Sequence, residues 1–134
     1  MVTALLQTQL GRIACVATSG ALGAVCRWGT TVATQRLLGT YWPYGTLTVN
    51  VLGCFLFGFA YQWFVQSALP VDSELRLLIF TGFLGAFTTF STFGFETYEL
   101  HHGLGIAWAV LNVALHISLG LTAVVVGVSL SRFL

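Results

Sequence analysis

The residues whose side chains could bind a ligand or an ion stand together at positions 88–93, as Thr-Thr-Phe-Ser-Thr-Phe, inside a hydrophobic segment. Glycines at positions 82, 85 and 94 surround them. Glycine and hydroxyl residues form helices poorly, and hydroxyls compete for backbone hydrogen bonds. Within a bilayer, non-helical backbone is tolerated only where protein covers it or where it lines a polar cavity. The segment therefore predicts a membrane helix that is interrupted to bind a ligand or an ion.

Two phenylalanines of this segment, Phe90 and Phe93, stand three residues apart and are flanked by hydroxyl groups. Phenylalanines are usually core residues, but an aromatic ring also has a positive edge. Ring edges and hydroxyls together can solvate a small anion without offering it a full positive charge. Such a site lets the ion leave again, which conduction requires. The pattern favours anion binding.

The composition predicts the helices that position this segment. The chain has 134 residues, of which 57% are hydrophobic and 7% charged, whereas soluble domains carry about 25% charged residues. A first apolar region, at about residues 11–32, has Arg12 at its start and is interrupted after that only by Arg27. Each apolar region can cross the hydrocarbon core as a helix of about 20 residues. Three further charge-free runs lie between Arg36 and Asp72, Arg76 and Glu96, and Glu99 and Arg132.

We therefore predict an all-α protein, multi-pass in the cell membrane and embedded in its lipid bilayer, with residues 1–134 forming a single four-helix domain. The predicted helices cover roughly residues 10–36, 46–67, 74–99 and 104–131, and the third is broken in mid-membrane. The turn residues of the sequence lie between them. Predicted turns are at residues 39–43, at Pro70 with Asp72 or Ser73 as a helix cap, and at His101-His102-Gly103.

The arginines give only a weak signal for orientation. Three lie at one side of the predicted bundle and Arg36 at the other, and a positive-charge bias over short loops is what sets orientation. One interpretation is a fixed topology with the three-arginine side inside. The other is insertion in both orientations, so that two opposite copies pair around an axis in the membrane plane. The first group consists of Arg12, Arg76 and Arg132.

Four isolated polar residues each allow two interpretations. Asn50 can donate to a ligand or form the helix–helix hydrogen bond common for membrane asparagines. Arg27 can attract anions into a vestibule, but its place towards the end of the first helix favours a structural role. Glu96 marks an interfacial helix end or faces a permeation route. His116 can shuttle protons, although a satisfied interior histidine is favoured.

Several function classes find no support in the sequence. It has no metal-ligand spacing, no convergent catalytic set and no phosphate loop, so an enzyme is not expected. Five basic and four acidic residues form no basic patch for nucleic acid. The three cysteines lie in apolar helical sequence and are interpreted as packing residues.

Several separated motifs resemble one known family, the small fluoride-specific channels called CrcB or Fluc proteins. The motifs lie in the right order at residues 20–28, at residues 45–50 with Gly53, and at residues 81–93. Glu96 and Asn112 follow at the expected positions. The resemblance extends over nearly the whole chain, and the third motif is highly specific.

This resemblance implies an antiparallel, dual-topology homodimer with two fluoride pores at the subunit interface. It places Phe90 and Phe93 against the fluoride ions and makes Asn50 a hydrogen-bond donor to them. It also implies a central structural sodium ion, bound by the backbone carbonyls of Gly85 and Thr88. The remaining implied roles are pathway hydroxyls at Thr89, Ser91 and Thr92, a pore-end position for Glu96, and a structural or vestibular place for Arg27.

The fourth helix departs from the family pattern, which often has a serine and, four residues later, a second hydroxyl residue. Strict register from Asn112 puts these positions at Gly120 and Val124. The chain instead has Ser118 and Thr122, which are also four apart and therefore on one helix face. Ser118 and Thr122 are the predicted polar track, with the register left open.

The function that the resemblance implies is passive fluoride export from the cytoplasm, which relieves fluoride toxicity. The alternative is a small four-helix multidrug exporter driven by protons, but that class needs a carboxylate deep in its first helix. The first helix here has no acid. A structural or assembly subunit is a third interpretation, and it leaves the clustered hydroxyls unexplained.

Overall fold

The structure, a computed structural model, describes residues 8–67 and 74–133. Four helical spans within these residues are long and apolar enough to cross a membrane, so the chain is an all-α, multi-pass membrane protein as predicted. The predicted turn at Pro70, Asp72 and Ser73 lies outside the described residues. The spans are α1 (Gln9–Leu38), α2 (Tyr44–Gln66), a third span from Glu74 to Leu104, and a fourth from Ile106 to Ser131.

The third span consists of two helices. The first, α3, covers residues 74–87, with Leu77–Leu84 in the wider π conformation between short α-helical ends. The second, α4, is Phe90–Leu104. The fourth span is the single helix α5, Ile106–Ser131. The predicted break in the third span is therefore present, between Phe87 and Phe90.

The turn predicted at His101-His102-Gly103 is wrong, because α4 remains helical through Leu104. The chain reverses at Gly105, whose φ of 100° is in the left-handed region that glycine adopts without steric cost. The Gly105 amide donates to the carbonyls of Leu100 and His101, which closes the helix end. Histidines are ordinary residues in a last helical turn, so the glycine alone fixes the turn.

Small residues bring the helices close together in two main pairs, α2 with α5 and α1 with α3. Gly58 of α2 lies directly on the backbone of Val124, and Gly127 of α5 lies on the backbone of Phe55. Gly23 of α1 lies similarly against the carbonyl of Phe83. Close backbone approach over small residues is the usual means of packing helices in lipid, where burial of apolar side chains gives little driving force.

Large apolar side chains cover much of the outer surface of the single chain. Leu121 is 65% exposed and Phe90 83% exposed, whereas Val49 and Phe64 are fully buried. A soluble monomer rarely exposes such broad apolar surface. The surface is that of a protein whose neighbours are lipid or other apolar chains.

Candidate anion site at the interrupted third span

Two residues in extended conformation form the break. Thr88 has φ −83° and ψ 160°, and Thr89 has φ −150° and ψ 112°. The Thr88 N–H still donates to the Leu84 carbonyl at 3.1 Å, whereas the Thr89 N–H leaves the helical hydrogen-bond ladder. Thr89 is buried, which meets the requirement that irregular backbone at this depth be covered by protein.

Asn50 of α2 binds the backbone of Thr89 in the break from both ends of its amide. Its Nδ2 donates to the Thr89 carbonyl at 3.1 Å, and its Oδ1 accepts from the Thr89 N–H at 2.9 Å. The side chain thus replaces the hydrogen bonds that a continuous helix would have supplied. One further N–H of the amide nitrogen is not used by these two bonds. In this conformation Asn50 makes the helix–helix hydrogen bonds expected of a membrane asparagine.

Hydroxyl groups at the start of α4 contact one another. The Thr89 Oγ1 accepts from the Thr92 backbone N–H at 3.3 Å, so Thr89 caps the helix. The same atom lies 2.9 Å from the Thr92 hydroxyl and 3.4 Å from the Ser91 hydroxyl. Ser91 and Thr92 are exposed in the single chain. The structure therefore brings the three predicted hydroxyls into one cluster at the N-terminus of α4.

The rings of Phe90 and Phe93 lie next to this cluster. Their centroids are 5.5 Å apart and their planes are tilted by 54°. Phe93 also packs against the imidazole of His116 on α5, at a centroid distance of 4.3 Å. Phe90 points outwards with 83% of its surface exposed, whereas Phe93 is half-buried. The two rings thus differ in surroundings, because only Phe93 has a partner on a neighbouring helix.

Phe90 and Phe93 line one cavity of about 360 Å³, which is open at the surface of the single chain. Ser91 and Thr92 are not among the residues that line it. Its wall combines the rings of Phe90 and Phe93, the side chain of Asn50 and the threonines of the break with apolar side chains of α2 and α5. Among the residues that line it there is no carboxylate and no arginine. The cavity is lined by Asn50, Gly53, Cys54, Phe57, Thr88, Thr89, Phe90, Phe93, His116, Ile117 and Val124.

The structure does not bring Ser118 and Thr122 to this cavity. Their hydroxyls donate to the carbonyls of Ala114 and Ser118, respectively, each at 2.7 Å, and both residues are exposed. The strict register from Asn112 describes the face of α5 that meets the cavity, since Val124 lines it and Gly120 lies against Cys54 of α2.

Glu96 lies one turn beyond Phe93 on α4, beside a second cavity of about 410 Å³. The hydroxyl of Thr46 donates to its Oε1 at 2.7 Å. Its Oε2 is buried and has no hydrogen-bond partner among residues 8–67 and 74–133. Trp42 lines the same cavity, and its buried indole N–H also has no partner there. The two cavities thus lie in succession along α4. The first is lined by Phe90 and Phe93, and the second is lined by Glu96.

Arg27 lies about three turns before the end of α1 and is half-buried. The expectation that it stands near the helix end is therefore wrong, because α1 continues to Leu38. Its guanidinium group forms no hydrogen bond or ion pair with the part of the chain that the structure describes. It does not line the cavity at the break.

The carbonyls of Gly85 and Thr88 have lost their ordinary helical donors. In a continuous helix these would be the N–H groups of Thr89 and Thr92. The Thr89 N–H instead donates to Asn50 and the Thr92 N–H to the Thr89 hydroxyl. Two neutral carbonyl oxygens at a break are the kind of ligand that suits a hard monovalent cation. The residues present therefore fit the implied sodium ion.

His116 is the residue at this site that sequence reasoning underestimated. The histidine was expected to be a satisfied interior residue, yet it lines the cavity and its Nε2 has no partner in the described chain. A sequence signal was available, because His116 lies four residues after Asn112 and four before Gly120. That spacing puts it on the helix face that the strict register describes.

The fold and the site together define a small helical membrane protein with a cavity, lined by neither arginine nor carboxylate, beside a broken span. The family described as CrcB-like protein, Camphor Resistance (CrcB), matches residues 14–128. The chain belongs to this family, which confirms the resemblance of its motifs.

Three relatives carry the name Fluoride-specific ion channel FluC. The protein of Dehalococcoides mccartyi is 44% identical over 93% of this chain and 95% of its own length. The protein of Maridesulfovibrio salexigens is 41% identical over 89% of this chain and 94% of its own length. The protein of Nitrosococcus oceani is 37% identical over 92% of this chain and 98% of its own length. These relatives are channels, which confirms the prediction that the chain is not an enzyme.

Proposed function

We propose that the protein is a passive, fluoride-selective channel of the plasma membrane that releases fluoride from the cytoplasm. The observation that carries the proposal is the cavity at the break, where the rings of Phe90 and Phe93 lie beside amide and hydroxyl groups. The names of the relatives support fluoride as the ion.

The wall of the cavity suits an ion that must bind and then leave. Ring edges and neutral N–H and O–H donors stabilise a small anion. A cation or carboxylate in the wall would instead hold or repel it strongly, and the lining has no arginine and no carboxylate. The proposed pathway residues are Asn50, Thr89, Phe90, Ser91, Thr92, Phe93 and, at one end, Glu96, with Arg27 in a vestibule or structural role. Ser118 and Thr122 lie outside the cavity and are not included.

A passive channel is sufficient for fluoride export. External acid drives the neutral protonated form of fluoride across the bilayer, and this form dissociates in the cytoplasm. The anion is then trapped unless a protein offers a path through the hydrocarbon core. A selective leak lets it flow out and relieves fluoride toxicity without an energy source.

A second copy of the chain, inserted in the opposite orientation, would complete the pore. The cavity is open and Phe90 is 83% exposed in the single chain, at a point where lipid contact would leave hydroxyls without water. Exposed Ser91 and Thr92 extend the same surface. An antiparallel pair around an axis in the membrane plane covers both cavities and gives two pores.

A structural sodium ion would fit at the centre of that pair. The carbonyls of Gly85 and Thr88 lack their helical donors, and Gly85 is exposed in the single chain. When bound, the ion supplies a positive charge that these oxygens solvate. The role of the chain is to keep its backbone unwound there, which Asn50 does through Thr89.

The multidrug exporter is not favoured. α1 contains no aspartate or glutamate that could exchange protons for a cationic substrate. The relatives are named as fluoride channels.

Replacing each ring tests the proposal. We expect Phe90→Ile and Phe93→Ile each to lower fluoride efflux from proteoliposomes about tenfold, since a ring edge that stabilises the ion by about 1.4 kcal/mol is lost. Phe95→Ile is the matched control, because Phe95 is an exposed ring on the same helix that does not line the cavity. A strain sensitive to fluoride should grow with the wild type and the control but not with the two variants. Equal efflux in all four proteins would overturn the proposed site.

A further inference from the structure

A groove lies between α1 and α3 near the start of both helices, away from the proposed fluoride pathway. Its volume is about 420 Å³, and it is lined by five residues of α1 and by Leu77 of α3. None of these six residues lines the cavity at the break or the second cavity beside Glu96. The α1 residues recur every three or four positions, so they form one stripe along the helix. The stripe consists of Gln9, Arg12, Ile13, Val16 and Ala17.

The groove begins where close packing of the two helices ends. Farther along the helices, Gly82 of α3 lies directly against Ser19 of α1, and Gly23 of α1 lies against the carbonyl of Phe83. One turn nearer the start of α1, apolar side chains line a gap instead. Side chains that face a gap lose dispersion contacts on that side. In a bilayer, the acyl chain of a lipid is available to fill such a gap.

Arg12 lies at the outer end of the groove, at the depth of the lipid headgroups. α1 has 30 residues and is therefore about 45 Å long, which exceeds the hydrocarbon core of about 30 Å. Arg12 is the fourth residue of this helix, and it is exposed. Its guanidinium group forms no hydrogen bond or ion pair with the described chain, including Glu74, which lies one turn before Leu77. The donors of this group are therefore available to an external anion.

The charge at this end of the bundle favours an anionic headgroup over a zwitterionic one. Among the described residues, three arginines lie there with one acidic residue, Glu74. Arg76 lies over aromatic rings of α2 and α3, and Arg132 follows α5 without lining the groove. Each basic residue near the membrane surface strengthens the binding of an anionic lipid.

We propose that the groove between α1 and α3 binds one anionic phospholipid. Its phosphate accepts from the guanidinium group of Arg12, which matches a phosphate with two parallel N–H donors. Its acyl chain lies along the stripe of α1 and against Leu77, and it fills the gap between the two helices. The proposal goes beyond the proposed function and does not depend on it, because no residue of the groove belongs to the fluoride pathway.

Lipid retention by the purified full chain tests the role of the charge. Native mass spectrometry in detergent compares added dioleoyl phosphatidylglycerol with dioleoyl phosphatidylcholine, which has the same acyl chains, and with glycerol phosphate, which has none. We expect retention of phosphatidylglycerol above the other two, and about fivefold weaker retention in Arg12→Gln. Arg132→Gln is the matched control, because it removes the same charge at the same end but outside the groove.

Filling the groove tests the role of the gap. Ala17→Phe places a ring in the groove, and we expect it to lower phosphatidylglycerol retention at least as much as Arg12→Gln. Ala14→Phe is its control, since Ala14 is an exposed residue of α1 that does not line the groove. If the phenylalanine at position 17 prevents folding, Ala17→Leu replaces it.

Four results would overturn the proposal. The first is equal retention of the anionic and the zwitterionic lipid, and the second is equal loss in Arg12→Gln and Arg132→Gln. The third is binding of glycerol phosphate as tight as that of the lipid, which would indicate a site for free phosphate. The fourth is unchanged retention when the groove is filled, which would indicate that a second copy of the chain or residues 1–7 occupy it.

Discussion

Asn50 is the residue on which the geometry of the break most depends. It binds the backbone N–H and the carbonyl of one residue, Thr89, across a sequence separation of 39 residues. Each bond replaces one that the helix gave up. An unpaired buried peptide group costs about 1–3 kcal/mol, so one side chain makes the unwound backbone tolerable at this depth.

We expect Asn50→Ala to lower the free energy of unfolding by about 2–6 kcal/mol and to abolish fluoride efflux, because the N–H and the carbonyl of Thr89 both lose their partner, each at a cost of about 1–3 kcal/mol. Thermal unfolding in detergent and efflux from proteoliposomes measure the two effects. Thr48→Ala is the control, since Thr48 lies on the same helix and its hydroxyl makes no hydrogen bond with the described chain. Unchanged unfolding and efflux in Asn50→Ala would show that the break does not need this side chain.

The sequence predicted which residue types form the site but not how they pair. The hydroxyls and glycines around position 88 predicted a break, because their preference for non-helical backbone is local. The partner of Thr89 is on another helix, so no local pattern could indicate it. His116 was underestimated for a related reason, since an isolated histidine in an apolar helix is usually an interior residue, and only its contact with Phe93 shows otherwise.

At the scale of the elements, the interrupted span is held against α2 by a close contact at the break. Gly53 of α2 lies on the methyl group of Thr88, and a Cβ added to Gly53 would collide with that methyl. Thr88 keeps its hydroxyl on the carbonyl of Leu84 at 3.1 Å. The position of α2 therefore determines how near Asn50 comes to the break.

We expect Gly53→Ala to push α2 from the break and to lower fluoride efflux about tenfold, because the added methyl meets Thr88. The double variant Gly53→Ala with Thr88→Ser should restore most of the efflux, since serine removes the colliding methyl and keeps the hydroxyl. Gly94→Ala is the control, because nothing lies within 4 Å of a Cβ at Gly94. If the double variant were no better than Gly53→Ala alone, the contact would not be the cause.

The apolar runs between charged residues predicted the four membrane-spanning helices. Two local features of the third span could not be predicted from these runs. Leu77–Leu84 forms a π-helix, but its apolar residues would suit an α-helix equally well. The amino-acid composition of the segment therefore cannot predict which of the two helices forms. The last turn of the third span was predicted at the histidines, whereas the backbone reverses at the one residue with positive φ there, Gly105.

At the scale of the whole molecule, the open cavity and exposed Phe90 leave the proposed pore incomplete in a single chain. The arginine bias is weak enough to permit insertion in both orientations. The proposed antiparallel pair would satisfy both observations, because each copy would cover the break of the other and the two sides of the pair would carry the same charge.

Labelling of single cysteines tests dual insertion. Thr40 follows α1 and Ser67 follows α2, so they lie at opposite ends of the bundle. In a chain whose own cysteines are replaced, we expect an impermeant thiol reagent outside the cell to modify about half of the molecules at either position. A fixed topology would instead give nearly complete labelling at one position and none at the other, which would contradict antiparallel pairing.

The most direct measurement of the central claim is anion efflux from liposomes that contain the purified full chain. Vesicles loaded with equal concentrations of fluoride or chloride are compared, with valinomycin and potassium to balance charge and with protein-free vesicles to correct for leakage. We expect rapid loss of fluoride and chloride loss at the protein-free level, because the cavity at the break offers ring edges and neutral donors that suit a small anion. Equal loss of the two ions, or no loss of fluoride, would contradict a fluoride-selective channel.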